Sequence, residues 1–112
     1  MGSQNLSECI MTVLEEHADF RNRADQDGIS SLLLFDQSRD QYMVVDTGWL
    51  NYQAVRTIVL FVRIIDGKIW IEEDWTEYGI ADKLVECGIP HNSIVLGFKH
   101  PELRPFTDFA VV

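Results

Sequence analysis

Val55-Arg56-Thr57-Ile58-Val59-Leu60-Phe61-Val62-Arg63-Ile64-Ile65-Asp66-Gly67-Lys68-Ile69-Trp70-Ile71 reads as a long strand, a two-residue turn and a second strand. The run from Val55 to Ile65 is too rich in Val and Ile for a surface helix, and its length suits a central strand. Asp66-Gly67 is the strongest short hairpin signal, because both residues of such a turn need positive φ. Counting back from the turn pairs Ile65 with Lys68, Ile64 with Ile69, Arg63 with Trp70 and Val62 with Ile71. Side chains alternate along strands, so Ile58, Leu60, Val62, Ile64, Ile69 and Ile71 should share one face. That face is core. Val59, Phe61, Arg63, Ile65, Lys68, Trp70 and Glu72 share the other, which is mixed.

Outward from the hairpin, the pattern predicts the remaining elements. Residues 5–21 place Leu6, Ile10, Val13, Leu14 and His17 at helical spacing, with acidic residues elsewhere on the wheel. Asp25, Asp27 and Gly28 break that helix. A strand over 30–36, the polar loop Gln37-Ser38-Arg39-Asp40, a strand over 41–47 and a bend at Gly48-Trp49-Leu50-Asn51 follow. After the hairpin, Thr76 is read as an N-cap with Glu77 in the first turn and Trp75 stapled on Ile80. Gly88 at C′, Ile89 touching Leu84, and Pro90 end this second helix in a Schellman arrangement. Residues 93–98 suit a short strand. The segment from Lys99 to Val112, with Pro101 and Pro105, reads as extended or looped, and its last four residues are apolar enough to be docked. The fold expected is α+β, an antiparallel sheet of four to five strands packed with two main helices, in a single domain over 1–112.

The chain has 112 residues, with 46% hydrophobic and 24% charged residues. A domain of this size buries roughly 65% of its unfolded surface and needs no metal or disulfide staple. Cys9 and Cys87 stand 78 positions apart and form no disulfide framework. They read as small buried hydrophobes, and with no charged-then-apolar leader visible the expected compartment is a reducing cytoplasm. No apolar run is long enough to cross a membrane, and Leu6 breaks the myristoylation pattern that Met1-Gly2 would begin. The net charge of −9 argues against direct DNA binding, since affinity for the phosphate backbone comes mostly from Lys and Arg. The charge is uneven: residues 1–27 carry −4, 66–88 carry −5, and 28–65 and 89–112 carry none.

None of the common catalytic or nucleotide-binding motifs is present. Cys87, His91 and His100 with Cys9 or His17 match no zinc spacing, and a thiolate at Cys87 would sit at the unfavourable end of a helix dipole. Glu72, Glu73, Asp74 and Glu77 could hold a divalent cation as in a small metal-dependent enzyme, or simply be solvated charges near a helix start. No cofactor is called for. Phe61, Arg63 and Trp70 combine aromatic area with a planar cation that can stack on Trp70, a composition favoured at interface centres. Either a partner or the chain's own helix or tail covers that face, and the partner could be a second copy. The acidic residues beside it would steer a basic protein toward it.

Asp66-Gly67-Lys68-Ile69-Trp70-Ile71, Asp74, Thr76-Glu77, Ile80-Ala81, Leu84-Val85, Gly88-Ile89-Pro90, Ile94-Val95-Leu96-Gly97-Phe98, Pro101, Arg104 and Phe109-Ala110-Val111 together resemble the XisI family of cyanobacteria. The resemblance covers residues 42–112, with Gly48-Trp49 and Arg56 also fitting, whereas the first helix matches only in kind. His91-Asn92-Ser93 departs from the charged run the family tends to carry there. The resemblance implies a controlling factor in excision of a DNA element during heterocyst differentiation, with a separate recombinase. It also implies a protein partner, XisH, which resembles a restriction-endonuclease-like fold. It supplies no catalytic residues.

Overall fold

The computed structural model describes residues 3–24 and 28–112. Met1-Gly2 and the helix-breaking Asp25 and Asp27 lie outside the described residues. Helix α1 (Ser3–Arg23) precedes strands β1 (Ile29–Asp36), β2 (Gln41–Leu50), β3 (Gln53–Ile65) and β4 (Lys68–Asp74). Helix α2 (Ile80–Glu86) and strand β5 (Ile94–Leu96) follow. The five strands lie in sequence order, antiparallel from β1 to β4, with β5 added parallel to β4. A parallel pair needs a crossover, and α2 supplies it.

Both helices lie on one face of the sheet. Leu6, Ile10, Val13 and Leu14 of α1 and Ile80 and Leu84 of α2 meet Tyr42, Val44, Leu60, Val62, Ile69 and Ile71 in one buried cluster. The four hairpin pairs fall where counting from Asp66-Gly67 puts them, and these two residues have φ of 51° and 74°. Two bulges then interrupt the alternation. Ile58 faces Val45 and Leu60 faces Val44, which leaves Val59 as the extra residue of β3. Val62 faces Ile71 and Phe61 faces Glu73, which leaves Glu72 as the extra residue of β4. One inserted residue reverses every side chain beyond it. Ile58, expected in the core, is therefore turned outward and 40% exposed, while Val59 packs on the core.

The bend expected at Gly48-Trp49-Leu50-Asn51 lies later: Gly48 to Leu50 continue β2, and Asn51 and Tyr52 make the turn, both at positive φ. Gly48 itself lies so close under the Gly28 carbonyl that a Cβ there would collide with backbone.

Thr76 is not the N-cap of α2, which starts four residues later behind Gly79. Asp74 takes over the capping: its Oδ2 accepts the Ile80 N–H at 2.7 Å, and its Oδ1 accepts the Thr76 N–H and hydroxyl. Trp75 is 75% exposed and staples nothing. The far end of α2 is as expected. Gly88 N–H donates to the Val85 carbonyl and Ile89 N–H to the Leu84 carbonyl, the two bonds of a Schellman motif, with Gly88 at φ 111°.

Cys9 and Cys87 are not free buried thiols. They form a disulfide, with Cα atoms 6.0 Å apart, that ties α1 to the end of α2, and Cys87 is exposed. Spacing along the chain gave no hint, because the contact is made by helix packing. In the C-terminal segment, Pro101–Phe106 form a 3₁₀ helix. Ala110 N–H donates to the Ile94 carbonyl at 2.8 Å and Phe109 packs against the core, whereas Val111 and Val112 are exposed. The docking expected of the last four residues thus holds for the first two. No helix among the described residues is long and apolar enough to cross a membrane.

A candidate interface on the open sheet face

Cross-strand partners in a sheet share a face. The chain Leu34, Met43, Phe61, Glu73 and the chain Leu32, Val45, Ile58 therefore run across the side of the sheet that neither helix covers. Leu32, Leu34 and Ile58 are 45%, 51% and 40% exposed, so Phe61 is part of a contiguous apolar surface wider than the hairpin alone suggested. A shallow depression beside Phe61 is lined by Leu33, Leu34, Asp36, Gln41 and Met43. Continuing the register from β3 through β2 to β1 would have revealed these leucines in the sequence.

Arg63 and Trp70 pair across the strands as expected, but they do not stack. Arg63 instead donates from Nε and Nη2 to Oε2 of Glu72, at 3.1 and 2.7 Å. The bulge makes this possible by freeing Glu72 from the ladder, and Gly97 leaves room for its carboxylate. With side chains 37% and 23% exposed, the ion pair contributes at most about 1 kcal/mol. The cation over Trp70 is Arg104, whose guanidinium carbon lies 5.3 Å from the ring centre. Arg104 is 9% exposed and donates to the carbonyls of Lys99 and Gly97, so the C-terminal segment reaches back over part of Trp70. Nothing in the sequence marked Arg104 for this role, because it approaches from a segment 34 positions away.

The acidic residues are brought near this surface but not to one point. Glu72 holds Arg63, Asp74 caps α2, and Glu77 lies in the loop before it. Among the described residues no group of three or more His, Cys, Asp or Glu side chains converges to hold a metal ion. His91 and His100, whose spacing to Cys87 matches no zinc site, lie apart: His91 stacks on Phe109 at 5.1 Å, and His100 Nδ1 accepts the Glu102 N–H.

On the helical side, α1 and the loop 75–79 bound a cleft of about 410 Å³ lined by His17, Phe20, Arg21, Asp46 and Tyr78 among others. Asp46 accepts from the Ser31 hydroxyl at 2.6 Å and from Arg21 at 3.3 Å. Nδ1 of His17 lies 2.6 Å from the Tyr78 hydroxyl, and its buried Nε2 has no partner among the described residues. Burial, and secondarily Arg21, lower its pKa against the opposing charges of Asp46 and Asp74. The folded protein thus resists protonation of His17 more than the unfolded chain, whose imidazole titrates near 6.5. Stability is retained above that pH and is lost as pH falls from about 6.5 through the depressed value. Thermal melts of the wild type from pH 8 to pH 5 should show this decline, and His17→Gln should flatten it; an equally steep decline in the variant would assign it to other groups.

The chain is thus an acidic α+β domain with helices on one sheet face and an apolar, charge-rimmed surface on the other. The chain belongs to the XisI family, whose family model matches residues 2–111. It is similar to the crystal structure of the fdxN element excision controlling factor XisI from Anabaena variabilis, with 37% identity, 97% of each chain covered and a TM-score of 0.84. A XisI-like protein from the same organism is 27% identical over 96% of this chain and 99% of its own, with a TM-score of 0.83. No curated protein matches the chain.

Proposed function

We propose that this protein is a controlling factor in excision of a DNA element and acts by binding a protein rather than by cutting DNA. The similarity to the excision controlling factor supports the first part. The observation that carries the second is the open sheet face, where apolar side chains from β1, β2 and β3 surround Phe61 beside the Arg63–Glu72 pair and Trp70. Monomeric proteins rarely leave so large an apolar area uncovered. The partner is an XisH-like protein that presents a basic surface, steered by Glu72, Glu73, Asp74 and Glu77. The reading places the factor in the cytoplasm, where the Cys9–Cys87 pair would follow the local thiol poise. The metal-dependent alternative has less support, since Glu72 and Asp74 already serve an ion pair and a helix cap.

The test is a binding assay between the purified chain and its neighbouring XisH-like protein, run beside fluorescence anisotropy on duplex DNA. Binding to the protein and none to DNA alone below about 1 µM is the expected outcome, given a net charge of −9. Phe61→Ala and Trp70→Ala should each weaken the complex by roughly 2 kcal/mol through faster dissociation. Part of Trp70 lies under Arg104, so Phe61 is the cleaner probe. Glu73→Lys should mainly slow association. Tight binding to DNA by the chain alone, or full affinity in Phe61→Ala, would refute the proposal.

A further inference from the structure

The β2–β3 arm overshoots both neighbouring strands. β4 pairs with β3 only between Leu60 and Ile65, so Gln53–Ile58 has β2 on one side and, among the described residues, no strand on the other. β1 ends opposite Gly48, which leaves the tip from Trp49 to Tyr52 with no paired strand on that side among the described residues. Trp49 is 64% exposed, Leu50 52% and Tyr52 99%. In an antiparallel strand every second residue directs its N–H and C=O toward the missing neighbour. Among the described residues, the one side-chain bond to the backbone of this stretch is local: Arg56 Nη1 donates to the Val55 carbonyl at 2.8 Å.

The edge at β1 is capped at one point. Asn22 of α1 donates to the Ser31 carbonyl at 3.0 Å and accepts its N–H at 2.8 Å, so a helix side chain occupies the place of a strand beside β1. Covering an edge in this way is how proteins prevent unwanted pairing. Among the described residues no such cover lies along Gln53–Ile58, and the Tyr52 ring stands in water although its backbone adopts a left-handed φ of 67° that a bulky residue avoids.

We propose that Gln53–Ile58 is a strand-addition edge whose occupant is the same edge of a second copy, joining two sheets across a twofold axis. An antiparallel strand is self-complementary under such an axis. Charge permits self-association at this site: residues 28–65 sum to zero in a chain of −9, so two copies meet here without the repulsion that residues 1–27 or 66–88 would bring. With Val55 opposite its own counterpart, Arg56 faces Ala54 of the second copy and no like charges oppose. The area is also adequate. At about 150–250 Å² for each large aromatic, the exposed parts of Trp49 and Tyr52 on two copies supply roughly 600 Å². That is about half of the ~1,200 Å² of a stable interface, before Leu50, Ile58 and the strand backbones are counted. The edge shares Ile58 with the Phe61 face but is made by the strand backbone and the 49–52 tip, and Leu34, which lies on that face and away from the edge, separates the two.

Sedimentation of the full chain between about 1 and 100 µM tests the proposal. The expected mass is twice 12.9 kDa at the upper end. The double variant Tyr52→Lys with Ile58→Lys should raise the dimer dissociation constant at least ~100-fold with an unchanged circular dichroism spectrum. Hydrogen exchange at residues 54–58 should speed up with it. Leu34→Lys, on the Phe61 face and away from the edge, should leave the constant within about threefold. A wild type that stays monomeric at 100 µM, a dimer indifferent to the double variant, or one lost in Leu34→Lys would each overturn the proposal.

Discussion

Cys87→Ser is expected to lower the unfolding free energy by about 4 kcal/mol. The disulfide closes a loop of 78 sequence positions that holds almost the whole sheet. Cross-linking removes loop-closure entropy from the unfolded chain, and the loss grows with the logarithm of loop length, so a loop this long lies near the upper end of the range. Geometry supports a bond that the fold accommodates, since the Cα separation of 6.0 Å falls inside the usual 4.4–6.8 Å window. In a domain of this size the expected drop in melting temperature is about 15 °C. Denaturation of the wild type with and without reductant should reproduce most of it, whereas reductant should leave Cys87→Ser unmoved. Two titratable thiols in the folded, air-oxidised protein would show the bond to be absent.

The disulfide also marks where sequence ceases to be a guide. The Asp66-Gly67 hairpin was legible because turn chemistry and strand period are local properties, and four cross-strand pairs followed by counting. The C-terminal end of α2 was legible for the same reason: Gly88, Ile89 and Pro90 are adjacent signals for one motif. Its start was not, because the cap is Asp74, six residues back across a loop, whereas Thr76 carries the local signature. The bulges at Val59 and Glu72 leave no mark in composition, yet they decide that Ile58 faces outward and that Glu72 can reach Arg63. Arg104 and the cysteine pair depend on tertiary approach alone. So Phe61, Arg63 and Trp70 could be placed on one sheet face from the sequence, and continuing the register reaches the leucines beside Phe61, but the internal bonding of that face could not be read.

Asp74→Ala is expected to cost about 3 kcal/mol, the larger share coming from bonds to an ionised acceptor, each worth about 1.5–3 kcal/mol. One carboxylate fixes the whole passage from β4 to α2. Its Oδ1 accepts the Thr76 N–H at 3.0 Å and the Thr76 hydroxyl, which in turn accepts the Gly79 N–H at 3.0 Å. Its Oδ2 accepts the first free N–H of α2, at Ile80. Removing it leaves part-buried donors without partners and releases the loop that holds Tyr78 against His17. Trp75 in that loop should report the release as a change in fluorescence. Asp74→Asn keeps one good acceptor and should cost about half as much, while Glu73→Ala, which removes no described hydrogen bond, should stay within about 0.5 kcal/mol of wild type. This gradient separates the structural role of Asp74 from a metal-binding one. A cap loses stability in Asp74→Ala with or without added divalent cation. A metal ligand would instead leave the apo protein as stable as wild type and abolish any gain in melting temperature from the ion, and that outcome would return the carboxylates to the candidate chemistry.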